Sequence, residues 1–127
     1  MSKISEKPYF LVRLNYNLVN SALIQKQQPF ALTFERFTDR LRASKMKRDD
    51  LILLVHGAPS RYAGANSLLQ VESNFGGVLK VNFVRYLKKI VSVNEIQQIE
   101  PSTKSSTLVY VLTEAVFLSL LSLENGV

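Results

Sequence analysis

Hydrophobic and polar residues alternate most regularly between residues 78 and 87, directly after Gly76 and Gly77. Leu79, Val81, Phe83, Arg85 and Leu87 fall on one side of that alternation; Val78, Lys80, Asn82, Val84 and Tyr86 fall on the other. A period of two with β-branched and aromatic residues predicts a half-buried strand. Residues 9–15 repeat the pattern, with Phe10, Val12 and Leu14 opposite Leu11 and Arg13. Residues 51–56 are apolar on both sides up to His56, which predicts a central strand covered on both faces. Two further strands are predicted over 67–72 and 106–112.

Helical spacing appears in four places. Leu18, Val19, Ala22 and Leu23 predict a helix over 17–26 with Asn17 as its N-cap, ended before Pro29. Over 34–45, Phe34, Phe37 and Leu41 form one apolar stripe, with Arg36, Arg40 and Arg42 on the other side. Ser92 and Glu95 have the spacing of a capping box and open a short helix through Ile99. Thr113 caps a last helix that buries Val116, Phe117, Leu120, Leu121 and Leu123. Residues 57–66 form a loop by composition, and residues 1–7 form a loose tail. Strands joined by turns, with helices at the margins, predict an α+β fold: a curved sheet or open β-barrel of about five to six strands with flanking helices.

Composition narrows the chemistry. With 127 residues the chain is one domain, taken as residues 8–124. It has no cysteine and only His56, which excludes disulfides and leaves too few ligands for a zinc site. No cofactor is expected. The longest apolar run is too short to cross a bilayer and the N-terminus is not a signal peptide, so no membrane association and a cytoplasmic location are expected. No Walker loop, dinucleotide fingerprint or nucleophile elbow is present. Asp49 and Asp50 are adjacent and point apart, and His56 at a strand end is better read as a buried, bonded histidine than as a general base. The chain is not expected to be an enzyme.

Charge points to binding. There are 16 Lys and Arg against 10 Asp and Glu, a net charge of +6. Arg36, Arg40, Arg42, Lys45, Lys47 and Arg48 crowd into thirteen residues with Asp39 as the one intervening acid. Lys80, Arg85, Lys88 and Lys89 form a second group, and Arg61 stands in the loop between them. Such clusters suit a phosphate backbone. Tyr16, Phe30, Tyr62, Phe83 and Tyr86 supply rings near element ends or within the basic strand, where a base could stack.

Three motifs, in order, resemble a known group. Tyr9-Phe10-Leu11-Val12-Arg13, then Asn15, a helix and Phe30, is similar to the opening of YTH domains and the related EVE and PUA-like folds. Residues 51–55 followed by Arg61-Tyr62-Ala63-Gly64 resemble the family's apolar strand and its Ser-Gly-x-Phe-x-Gly. Gly76-Gly77-Val78-Leu79-Lys80-Val81-Asn82-Phe83-Val84 is similar to the family's Gly-Gly-Val-Phe-Lys-Ile-Asp-Trp-Ile. The resemblance implies a PUA-like reader of a modified base, with N6-methyladenine in DNA favoured. It makes Phe30 and Phe83 the cage walls, puts Asn15 on the base and Arg13 near its phosphates or edge, and sets Tyr62 and His56 at the mouth. The chain departs from the family in having no tryptophan and in carrying Leu14 where the family has serine, so a methylated cytosine stays open. The resemblance further implies the recognition module of a larger McrB-type restriction protein. An RNA reader and a protein-interaction domain on the same fold are the alternatives.

Overall fold

The chain's most apolar runs become the middle of a single sheet. The structure, a computed structural model, describes residues 8–15, 19–57, 63–75, 77–104 and 107–125. Strand β3 (Leu51–His56) lies between a parallel β1 (Tyr9–Leu14) and an antiparallel β4 (Gly64–Phe75). Beyond them β5 (Val78–Val91) pairs with β4, the short β2 (Phe30–Leu32) with β5, and β6 (Val109–Leu112) with β1, in the order β2-β5-β4-β3-β1-β6. The result is a six-stranded curled sheet with flanking helices, the α+β architecture expected from the pattern. No helix among the described residues is long and apolar enough to cross a membrane.

Successive residues of a strand point to opposite faces, and here both faces carry a core. Phe10, Val12, Ile52, Leu54, Leu69 and Val81 line the first, packed under α1 (Ser21–Lys26) and α2 (Phe37–Ala43). Leu11, Leu53, Val55, Leu68, Leu87 and Tyr110 line the second, under α3 (Val93–Ile99) and α4 (Glu114–Ser122). The second layer follows the sequence closely. Ser92 Oγ accepts the Glu95 N–H at 3.1 Å while Ser92 N–H donates to Glu95 Oε1 at 3.0 Å, the expected capping box. Thr113 Oγ1 accepts from Val116 N–H and starts α4, which buries Phe117 and Leu120, and Tyr9 stacks on Phe117 at 4.4 Å.

The first layer departs from expectation in two ways. Helix α1 begins at Ser21, and its cap is Asn20, whose side chain accepts the Leu23 N–H at 3.1 Å; Asn17 lies outside the described residues. Helix α2 is turned over relative to its apolar stripe. Phe34 is buried ahead of the helix, but Phe37 is 68% and Leu41 52% exposed, while Asp39 is 0% exposed. The outer edge of β6 explains the reversal. Asp39 Oδ1 accepts the N–H groups of Leu108 at 2.8 Å and Val109 at 3.1 Å, and Arg42 Nη1 donates to the Val109 carbonyl at 3.0 Å. These side chains serve the strand edge as a seventh strand would. Buried backbone groups must be paired, and that demand outweighs burial of two apolar side chains.

The β4–β5 hairpin changes face partway along. Leu69 pairs with Phe83 but Leu68 pairs with Arg85, leaving Val84 as an extra residue on β5. A bulge of this kind shifts the alternation by one. Phe83 therefore packs on the first core while Leu87 packs on the second. Phe83 and Arg85 do not share a face, contrary to the simple period of two. Arg85 instead makes a two-pronged ion pair with Glu124, both contacts at 2.9 Å, in the turn after α4. At the root of the hairpin, Gly64 has φ +122°, and a Cβ there would meet the Val91 carbonyl oxygen at 2.3 Å, so only glycine fits this close approach.

Candidate nucleic-acid interface

Parallel pairing brings the C-terminal ends of β1 and β3 together, and the antiparallel hairpin returns its root to the same end. There a cavity of about 690 Å³ opens, lined among the described residues by Arg13, Gly57, Ala63, Ser92, Val93 and Asn94. That volume lies within the range of small-molecule sites. Arg13 is held from behind, since its Nη2 donates to the Thr107 carbonyl at 3.2 Å and its backbone N–H to Leu108 at 2.8 Å. The Ser92 hydroxyl is occupied with capping α3. The wall thus offers a guanidinium, an exposed amide at Asn94 and apolar surface at Ala63 and Val93. A planar ligand with acceptors on one edge matches this set.

The other expected cage residues are distributed differently. Asn15 is exposed just beyond β1, its carbonyl accepting from the Val19 N–H at 3.0 Å. His56 is 0% exposed and so does not reach any mouth. Burial pushes the imidazole pKa down from its ordinary value, and a hydrogen bond with Asn66 opposes that shift. Beside it the Ser21 and Ser67 hydroxyls share a hydrogen bond of 2.7 Å, and whichever accepts it is free to donate to Asn66 Oδ1, 3.3 Å from Ser21 and 3.0 Å from Ser67. This buried polar knot pins α1 to the sheet. Tyr62 and Arg61, like Tyr16, lie outside the described residues.

Phe30 and Phe83 are both partly buried against the core of the first face, with Phe30 opposite Val81 where β2 pairs with β5. Phe83 meets Tyr86 edge-on at 4.9 Å, and its N–H donates to Gln28 Oε1 at 3.0 Å. Arg13, however, falls on the side of Leu11, the second face. It also sits in the row of Val55 and Ala65, while Phe83 sits in the row of Phe10, Ile52 and Leu69. A single slot walled by Phe30 and Phe83 with Arg13 on the base edge is therefore not built. Nor do Phe30 and Phe83 line the cavity beside Arg13.

The basic residues divide as well. Arg36, Arg40, Lys45, Lys47 and Arg48 are exposed at the cap of α2, on it and in the segment after it, as are Lys80, Lys88 and Lys89 on β5. Arg42 is turned inward onto Thr107 and Val109. Arg85 is engaged by Glu124, whose carboxyl this pairing, with the Lys88 N–H, holds down at about 2. Gly57, Val93 and Asn94 were not singled out by the sequence, and Ala63 entered only as part of the Arg61–Gly64 motif. The one signal near them is the capping box at Ser92, which marks a helix start and says nothing about a cavity beside it.

Three solved structures share this fold over nearly their whole length. Rpa0253 from Rhodopseudomonas palustris superposes with a TM-score of 0.80 at 13% identity, covering 95% of each chain. Atu2648 from Agrobacterium tumefaciens gives 0.78 at 15%, covering 93% of each. Human THYN1, solved in complex with DNA containing 5-methylcytosine, gives 0.71 at 17%, covering 93% of this chain and 98% of its own. Identities this low establish the PUA-like fold and nothing finer. No family model matches the chain, and no curated protein is recognisably similar in sequence.

Proposed function

We propose that this chain is a nucleic-acid-binding module that takes one modified base, turned out of its strand, into the cavity beside Arg13. The observation that carries the reading is that cavity: room at the sheet's end ample for a base, with a guanidinium and an amide in its lining. Net charge of +6 and the exposed cations on α2 and β5 supply attraction for the backbone irrespective of sequence. Arg13 recognises the acceptor edge, Asn94 the exocyclic group, and Val93 and Ala63 receive the apolar part. N6-methyladenine is the base the motifs imply. 5-Methylcytosine is the second reading, favoured by the THYN1 complex and by the fit of a two-donor guanidinium to adjacent acceptors. The same reading makes the chain the recognition module of a McrB-type restriction protein.

Magnitudes set what such a site achieves. Turning out a paired base costs a few kcal/mol, less when it is unpaired. One buried methyl contributes about 0.8 kcal/mol, so discrimination of methylated from plain base is about tenfold once shape is included. The test is fluorescence anisotropy with matched oligonucleotides, plain or carrying N6-methyladenine or 5-methylcytosine, as single and double strands of DNA and RNA, at two salt concentrations. The expected result is a modification preference of about tenfold and affinity falling with salt by about 0.7–0.9 log units per phosphate contacted per log unit of salt. Equal binding of modified and plain strands overturns the reading.

A further inference from the structure

A second cavity, of about 270 Å³, lies at the opposite end of the β4–β5 hairpin. Its floor is apolar, made by Leu32, Phe34 and Leu79, and its rim is polar, made by Arg40, Ser44 and Asn74. The Asn74 amide donates to the Ala43 and Met46 carbonyls, both at 2.9 Å, which fastens the hairpin tip to the end of α2. Residues three and four apart share a helix face, so Phe37, Arg40, Leu41 and Ser44 look out together beside this opening. At the tip itself Phe75 is 86% exposed. Lys45, Lys47 and Arg48 follow directly after α2, all exposed.

We infer that this end of the molecule is a second nucleotide subsite, which takes an unpaired base of the strand flanking the modified one. The base enters the apolar floor or stacks on Phe75, and its phosphate meets Arg40. The inference rests on the nucleic-acid reading above. Charge complementarity selects this occupant: rings interleaved with five exposed cations, Arg36, Arg40, Lys45, Lys47 and Arg48, are how a surface holds single strands without regard to sequence. A second copy of the chain would also meet the apolar residues, and that is an outcome the test separates.

The two cavities sit at opposite ends of β4, twelve residues long. At about 3.3 Å per residue this is roughly 35–40 Å along the strand. Since the cavities open on opposite faces, it is the least span a bound strand must cover, about ten to twelve base-pair steps or more at 3.4 Å. The experiment is a series of duplexes carrying the methylated base and ending in a short single-stranded overhang, with the spacing between them varied. Wild-type chain is expected to gain about fivefold or more in affinity from the overhang once the spacing approaches ten base pairs. Phe75→Ala and Arg40→Gln, both at exposed side chains, are expected to lose that gain, with folding checked by thermal melting. An overhang that changes nothing at any spacing overturns the inference while leaving the base cavity standing. So does a wild-type dimer, seen by sedimentation, that Phe37→Ser dissociates while the overhang gain persists in Phe75→Ala and Arg40→Gln. Failure of every oligonucleotide to bind removes the reading on which both subsites rest.

Discussion

The two faces of the sheet are built from different materials. Beneath α3 and α4 the second face is an apolar layer, closed by the Tyr9–Phe117 stack and the Arg85–Glu124 clamp at its margin. Beneath α1 and α2 the first face buries Ser21, Asp39, His56 and Ser67 among its hydrophobic residues and leaves Phe37 and Leu41 in solvent. Both faces get cohesion from burial, which is non-directional. The first adds directional bonds at particular backbone groups, and these fix the orientation of α2 against its own apolar stripe. The lesson is that a helix's exposed side can be decided by the strand edge it must satisfy.

The largest effect expected from breaking this contrast is at Phe117. Its truncation to Ala should destabilise the fold by about 3–5 kcal/mol, while Phe83→Ala, half-buried on the other face, should cost about 1–2 kcal/mol. Chemical denaturation of both variants measures the difference, and equal costs would mean that Phe83 is full core. Next is Asp39. Asp39→Ala strands the N–H groups of Leu108 and Val109 and should cost about 3 kcal/mol; Asp39→Asn keeps an accepting oxygen and should cost less. Hydrogen exchange at those two amides localises the loss, and unchanged protection in Asp39→Ala would contradict the strand-edge account.

Acid separates the faces by window, with the same sign on each. Glu124 has its pKa lowered to about 2, so its contribution is complete above the ordinary value of 4.5 and is lost as pH falls from 4.5 through about 2. His56 is also shifted downward, so the folded state resists a proton that the unfolded chain accepts. Its stabilisation is present above pH 6.5 and drains away below it. Melting temperature against pH should therefore decline in two stages, and Glu124→Gln should flatten only the lower one. The smallest expected effect is at Phe37: Phe37→Ser should change stability by no more than about 0.5 kcal/mol. A loss of several kcal/mol there would show that the ring is buried after all.

The face that was easy to read in the sequence is the one beneath α3 and α4. Capping at Ser92 and Thr113 and the periodicity of Phe117 and Leu120 are local signals, and β1 and β3 announced themselves by alternation and by apolar continuity. Helix α2 was legible as a helix but not in its orientation, because the partners of Asp39 lie 69 and 70 residues further along the chain. Strand β2 is only three residues long, too short to show a period. The switch of face at Val84 is set by pairing with β4, which alternation within β5 alone does not contain. Of the cavity at the end of β1, Arg13 was legible as a charge at the end of a strand. Val93 and Asn94 were not, since nothing local distinguishes a helix start beside a cavity from any other.

The most direct test of the account is the ratio of dissociation constants for a plain and a methylated oligonucleotide, measured in wild type and in Arg13→Gln at one salt concentration. The account predicts a ratio near ten in wild type that falls to about one in the folded variant, because the guanidinium that reads the base edge has gone. A ratio that is one in wild type, or that survives the substitution intact, would contradict it.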